Sequence, residues 1–352
     1  MILETETMSA TLVPVSEPPM GAMLQLLFGK QISYALSAVA RLGVADQMGT
    51  TPVPVEEVAV KTGAHTDSLY RVLRMLASVG VFEERSGKRF SLTPVGEILR
   101  TDAPESLRYL AIAWGDEWSA RAFENFPHCV RTGEDGVTKA FGKNAFELLA
   151  DCPEQADTFN RAMTNVSAIA GEAMVAAYDF SGVSKIADIG GGHGMLLASI
   201  LKRNPGMSGV VYDLPEVVAG AKANKHFEGL RERVAVEPGS FFDRVPAGCD
   251  AYMLKHILHD WSDDHCRRIL GLIREQLPAN GRVIVCEMIV PDGPGPSPAK
   301  ILDIEMLALT IGGKERTAEE FSQLFLSAGL QLERVIPTAS PMSVLEARHR
   351  SR

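Results

Sequence analysis

Positive charge, cysteine pairs and long apolar runs are what this chain lacks. Its 35 lysines and arginines are outnumbered by 44 aspartates and glutamates, a net charge of −9. That balance argues against a nucleic-acid binder or a binder of anionic membranes. The five cysteines (129, 152, 249, 266 and 286) are odd in number and form no CxxC pair. They fit reduced thiols of a cytoplasmic protein and offer no structural zinc site. No apolar run reaches the ~18 residues of a membrane span. The first 19 residues lack the basic stretch of a secretory signal and read as a flexible tail.

What is present is a chain of 352 residues, 46% hydrophobic and 22% charged, long enough for two domains. Residues 20–42 form an apolar helical pattern with little charge to mark a wet face, as in a helix buried in its own core or against another subunit. Two helices, 55–62 and 67–79, follow around Gly63-Ala64-His65. Gly80 stops the second, 81–84 and 89–92 pair across Ser86-Gly87, and Thr93-Pro94 opens another helix. This is a winged-helix outline, whose functional reading is DNA binding and whose plainer reading is a scaffold or dimerisation module. Charges across 55–100 nearly cancel, leaving no basic stripe for phosphates.

Residues 100–180 are helical in pattern. Beyond them the period changes: apolar runs at 186–189, 209–212, 234–236, 251–254 and 283–286 alternate with helical segments. That alternation predicts an α/β fold, a parallel sheet with helices on both faces. Two later runs, 331–336 and 342–347, suit an antiparallel edge hairpin.

The first run leads into Asp188-Ile189-Gly190-Gly191-Gly192-His193-Gly194, a glycine turn opening a helix at Met195. Glycines let a ligand approach the main chain. Where a dinucleotide fingerprint ends in Gly or Ala, this chain has Met195. Asp213, 19 residues past Gly194, ends the second strand, where a carboxylate accepts hydrogen bonds from both ribose hydroxyls. The pair reads as a nucleoside site without a pyrophosphate clamp, which suits S-adenosylmethionine better than NAD.

In an open parallel sheet, ligands sit outside the carboxyl ends of the strands. Asp213, Lys255 and Glu287 end the second, fourth and fifth strands, and His259 lies one helical turn past Lys255. An imidazole with an intrinsic pKa near ~6.5 can take the proton of an aromatic hydroxyl as a new C–O bond forms. Glu287 is placed to orient that ring and stabilise its cation. A metal reading also stands at this point, because His256 and His259 are spaced i, i+3, with His265 and Asp260 nearby. Asp263 and Asp264 after Ser262 suit a helix N-terminus. Thr317 and Glu320 form a capping box, which leaves Glu315 outside the cap. Trp261 reads equally as a pocket wall or as core.

Taken together, DIGGGHG, VYDLP, KHILHDWSDDHC, VCEMIVPDG and GGKERT, in this order, resemble the plant caffeate/hydroxyindole-type O-methyltransferase family in its bacterial natural-product branch. The resemblance covers nearly the whole chain. It implies a dimerisation winged helix (20–105), a helical linker contributing to the substrate pocket (106–180) and a Rossmann-like S-adenosylmethionine domain (181–352). It implies His259 as general base flanked by Glu287 and Glu315, and no metal. Gly190, Gly192, Asp213 and Lys255 would contact the cofactor, with Ser167 near its carboxylate. Met163, Asp260, Met306 and Thr310 would border a flat aromatic acceptor such as a polyketide or phenazine, in a homodimer. The plant enzymes carry an acidic residue and a Met against the adenine; here Ser240 and Phe241 stand at those positions. Relatives that hydroxylate or decarboxylate lack the base this chain retains, and a winged-helix sensor would need no catalytic set.

Overall fold

The structure, a computed structural model, describes residues 18–219 and 225–350, and only the backbone of 168–170. Residues 1–17 of the expected tail lie outside the described residues. The chain forms two compact units. One runs to Phe123 and takes in Ala145–Val166; the other comprises Glu124–Asn144 and the chain from Ser167 on. None of the described helices is long and apolar enough to cross a membrane. All five cysteines are free.

In the first unit, Pro19–Leu27 and Gly29–Arg41 are helical. The first of these buries no residue and leaves Met20, Met23, Leu24, Leu26 and Leu27 exposed. A small antiparallel sheet follows, of β1 (Val53–Pro54), β2 (Phe82–Arg85) and β3 (Arg89–Leu92), in the order β1-β3-β2. The hairpin is the expected one, while β1 is an addition too short to leave a pattern in the sequence. Helices Val55–Thr62 and Thr66–Ser78 cover it. Leu69, Leu73 and Leu76, spaced to share one helix face, are buried with Val55, Val58, Phe82 and Phe90.

The second unit is built on β4 (Lys185–Ile189), β5 (Ser208–Asp213), β6 (Val234–Pro238), β7 (Ala251–Lys255), β8 (Arg282–Met288), β9 (Leu330–Pro337) and β10 (Met342–His349). Their order is β6-β5-β4-β7-β8-β10-β9, with β4 to β8 parallel and the last two strands antiparallel. The sheet is buried on both faces, so its strands read as continuous apolar runs. Along β7, Ala251 and Met253 join one core with the helix Met195–Arg203, while Tyr252 and Leu254 join the other with Asp263–Gln276 and Ala318–Ser327. The register pairs Ile189 with Tyr212 and Leu254, and Lys255 with Cys286. The next residues along each strand, Gly190, Asp213 and Glu287, therefore emerge at one edge.

Candidate active site

At that edge the chain leaves β4 through the glycine turn. The amides of Gly190 and Gly191 donate to the carbonyl of Tyr212 at 2.8 and 3.3 Å. Asp213 fixes the next step: Oδ2 accepts the Gly192 amide at 2.8 Å and Oδ1 the Leu214 amide at 2.7 Å. Burial raises the Asp213 pKa, and these two amides oppose the rise. Gly194, with φ of 77°, requires glycine twice over, because a Cβ there would sit 2.3 Å from the ring of Phe227. A Cβ on Gly190 would meet Ile257 at 2.3 Å and the ring of Phe241 at 3.6 Å, whereas one on Gly192 would meet nothing within 4 Å. Bare main chain, a tethered carboxylate and an aromatic ring thus share one recess, and this donor and acceptor set fits a nucleoside. Phe241 belongs to an aromatic cluster with Phe242 and Trp261, its ring 4.9 and 6.1 Å from theirs. Ser240 serves the loop locally, its hydroxyl accepting the Phe242 amide and its carbonyl the Tyr212 hydroxyl.

Past β7 the chain makes a tight turn at His256, whose φ of 52° is left-handed, and enters a short 3₁₀ turn, Leu258–Asp260. Glu287 is wholly buried, and its Oε1 accepts the amides of Ile257 and Leu258 at 3.1 and 2.9 Å. His259 Nδ1 lies 2.6 Å from Glu315 Oε1 and 3.7 Å from Glu287 Oε2. The orienting partner expected at Glu287 is therefore Glu315, while Glu287 holds the backbone of the turn. On the other side of the ring, Asp260 Oδ1 is 3.6 Å from Nε2. Neither Glu287 Oε2 nor Glu315 Oε2 has a hydrogen-bond partner.

Burial on its own would lower the His259 pKa. The charges of Glu287 and Asp260 and the bond to Glu315 outweigh it and push the ring up to about 10. Glu287, buried, rises to about 7 despite the imidazole beside it. Burial raises Asp260 and lowers Lys255. His256 is driven well below its ordinary value by burial, and its Nε2 faces Met342 Sδ at 2.9 Å. His265 engages Ser262 Oγ through Nδ1. His256 and His265, which the metal reading paired with His259, thus face Met342 and Ser262, and the side chains whose ligand atoms gather with those of His259 within 4.8 Å of one another are Glu287 and Glu315.

The loop carrying Glu315 is tied to the turn through its backbone. The Lys314 amide donates to the His259 carbonyl at 2.8 Å, and the Glu315 amide to Asp303 Oδ1 at 2.9 Å. Thr310 crowds the same place: a Cβ on Gly313 would lie 2.2 Å from Thr310 Oγ1 and 2.5 Å from the His259 carbonyl. Met306 is buried on the helix Pro298–Leu309. Ser167 is half-buried on the helix Pro153–Ala177. Met163 lies on that helix too, but belongs to the first unit.

Three residues that reading the sequence for function passed over stand here. Asp188 is buried beneath the turn with Oδ2 unpartnered, and burial pushes its carboxyl to about 7. Ile257 fills the space opposite Gly190. Arg316, buried completely, donates to the carbonyls of Leu258 and Trp261 at 2.8 and 2.9 Å. Asp188 and Arg316 sit inside the very motifs that carried the resemblance; their burial in a polar-looking stretch is what the sequence conceals.

A mostly parallel sheet with a nucleoside recess and a carboxylate-bound imidazole at one edge defines a Rossmann-like group-transfer enzyme. Residues 123–331 match the O-methyltransferase domain and residues 24–102 the O-methyltransferase dimerisation domain. The chain belongs to this family of S-adenosylmethionine-dependent O-methyltransferases. It is 41% identical to the phenazine O-methyltransferase PhzM of Lysobacter antibioticus, over 98% of this chain and 99% of that protein. Human N-acetylserotonin methyltransferase, solved with S-adenosylmethionine, superposes with a TM-score of 0.86 at 28% identity, over 96% of this chain and all of that one. NcsB1, an O-methyltransferase from neocarzinostatin biosynthesis solved with S-adenosylmethionine and 2-hydroxy-5-methyl naphthoic acid, gives 0.78 at 32% identity, over 93% and 98%.

Proposed function

We propose that the protein methylates a hydroxyl of a planar aromatic secondary metabolite, a phenazine or an aromatic polyketide. The observation that carries this reading is His259, a buried imidazole with Nδ1 anchored by Glu315, standing at the sheet edge that also bears Asp213 and the glycine turn. Phenazine and hydroxynaphthoate acceptors of the relatives supply the substrate class.

Gly190, Gly192, Asp213, Lys255 and Ser167 hold S-adenosylmethionine, with Phe241 and Ser240 beside the adenine. When bound, that cofactor supplies an electrophilic methyl group on a sulfonium. Asp260, Met306 and Thr310 border the acceptor; a polarisable thioether suits a flat ring. His259 acts as general base, taking the proton of the acceptor hydroxyl through Nε2. Glu315 fixes the ring's direction, and Glu287 holds the turn on which it stands. In-line approach makes positioning a large part of the rate. The winged helix pairs two copies of the chain, an assignment supported by the dimerisation-domain match and the near-neutral charge of the cassette.

Calorimetric titration with S-adenosylhomocysteine and, separately, NADH tests the cofactor assignment, followed by methyl transfer to a hydroxyphenazine. Tight binding of the first ligand alone, then turnover, is the expected result. Binding of NADH, or no methylation of any hydroxylated aromatic, overturns the proposal.

A further inference from the structure

Past β7 the next three backbone amides all turn to β8. The His256 amide donates to the Cys286 carbonyl at 3.2 Å, and the amides of Ile257 and Leu258 donate to Glu287 Oε1 at 3.1 and 2.9 Å. The chain makes this turn through His256 in the left-handed region, with φ of 52°. Among the described residues, Lys88, between β2 and β3, is the other non-glycine residue there. A side chain pays for that backbone conformation and keeps it where its surroundings fix it.

The ring of His256 shows what fixes it. Nε2 lies 2.9 Å from Sδ of Met342. A thioether carries no proton, so Nε2 donates. Burial, with Lys255 and His259 alongside, holds the ring well below the ordinary histidine pKa, which leaves it neutral with a bare Nδ1. Met342 begins β10, and β8 lies between β10 and β7 in the sheet. The ring therefore reaches past one strand to be tied to the next. Its centre is 4.8 Å from that of the His259 ring, with the planes 75° apart, an edge-to-face contact.

The bond from His259 Nδ1 to Glu315 Oε1, at 2.6 Å, sets the direction of one edge of the imidazole. A single bond still lets the ring tilt about it, and a second ring packed across it removes that tilt. We propose that His256 is a positioning residue for methyl transfer: tied to Met342, its ring braces His259 so that His259 Nε2 stays turned to the acceptor hydroxyl. This rests on the general-base reading of His259 above and adds a second anchor to that base. A neutral brace suits the task, because a cation beside His259 would oppose the proton it takes.

The test compares the intact wild-type enzyme with His256→Asn, Met342→Leu, their double variant and His259→Gln, using a hydroxyphenazine as acceptor. Asparagine tolerates the left-handed backbone, so the turn is kept while the ring is removed. His256→Asn is expected to lower kcat by about 10- to 100-fold, with acceptor KM and S-adenosylhomocysteine affinity held within a few fold. Met342→Leu should lower kcat less, and the double variant should be no slower than His256→Asn, because the sulfur acts only through the ring. An unchanged kcat in either single variant, losses that multiply in the double variant, or cofactor affinity falling in step with kcat overturns the proposal. Full turnover by His259→Gln would defeat the general-base reading and this proposal with it; loss there beside an unimpaired His256→Asn defeats this proposal alone. ¹⁵N-histidine spectra of the wild type, assigned through ring contacts to the Met342 methyl group, give a readout that needs no variant. A neutral His256 with its proton on Nε2 is expected; a proton on Nδ1 overturns the proposal.

Discussion

Arg316 donates Nη1 to the carbonyl of Leu258 at 2.8 Å, tying the residue after Glu315 to the residue before His259. The guanidinium is fully buried and also binds Asp263 Oδ1 through Nε and Nη2 at 3.0 and 2.8 Å. It spans the gap across which Glu315 reaches the imidazole. Arg316→Met would remove the charge-assisted bond from each of the Leu258 and Trp261 carbonyls, at about 1.5–3 kcal/mol each, and leave them the weaker Cys266 thiol. The expected outcome is a kcat lowered by about 10²-fold with S-adenosylhomocysteine affinity held within a few fold, the pattern of a misaligned catalytic group. Equal losses in kcat and cofactor affinity would mark Arg316 as a general structural residue.

Glu315→Gln separates orientation from charge. The amide oxygen can still accept from Nδ1, so the ring keeps its direction, but one of the carboxylates holding the pKa near 10 becomes neutral. The His259 pKa should fall by at least about one unit. The limb of the pH–rate profile that reports the His259 ring should move down by the same amount. An unmoved limb would show that Glu287 and Asp260 set the charge without Glu315. Glu315→Ala, which removes the anchor as well, should cost turnover further.

How much of this was legible in the sequence differs by layer. The alternation of apolar runs and helical segments carried the parallel sheet, and the run 342–347 carried its antiparallel strand, because burial on two faces writes itself into composition. Gly190, Asp213, His259 and Glu287 were legible because strand ends put them on one edge. The partner of the imidazole was not. Glu287 and Glu315 are both acids at plausible offsets, and only the loop after Thr310, pinned by Lys314 to the His259 carbonyl, brings Glu315 to Nδ1. Asp188 and Arg316 stayed hidden because charged residues in a polar motif look solvated until the fold encloses them.

The N-terminal helices offer a test of association. Leu24 and Leu27 are exposed on a helix that buries none of its residues, and a strip of apolar side chains open to water marks an interface. Sedimentation should find a dimer at micromolar concentration. Charging the strip with Leu24→Glu and Leu27→Glu should yield monomers that retain their helical signal and bind S-adenosylhomocysteine. A monomeric wild type would remove the pairing role assigned to this domain.

Asp188 makes the last prediction, one of stability rather than rate. Its carboxyl is buried, one oxygen is unpartnered, and its folded pKa is about 7 against an ordinary 3.8. An acid raised by folding binds its proton more tightly in the native state. Its contribution is fully present below pH 3.8 and is lost as pH rises through about 7. The ionised form costs on the order of 4 kcal/mol once that window is passed. Asp188→Asn mimics the protonated acid at every pH. Its thermal midpoint should match the wild type near pH 4 and exceed it by at least about 5 °C at pH 8. Glu287 titrates in the same range in both proteins, so it drops out of the difference. Parallel curves for the two proteins would mean that Asp188 keeps its charge, with Lys255 as its counter-ion beneath the glycine turn.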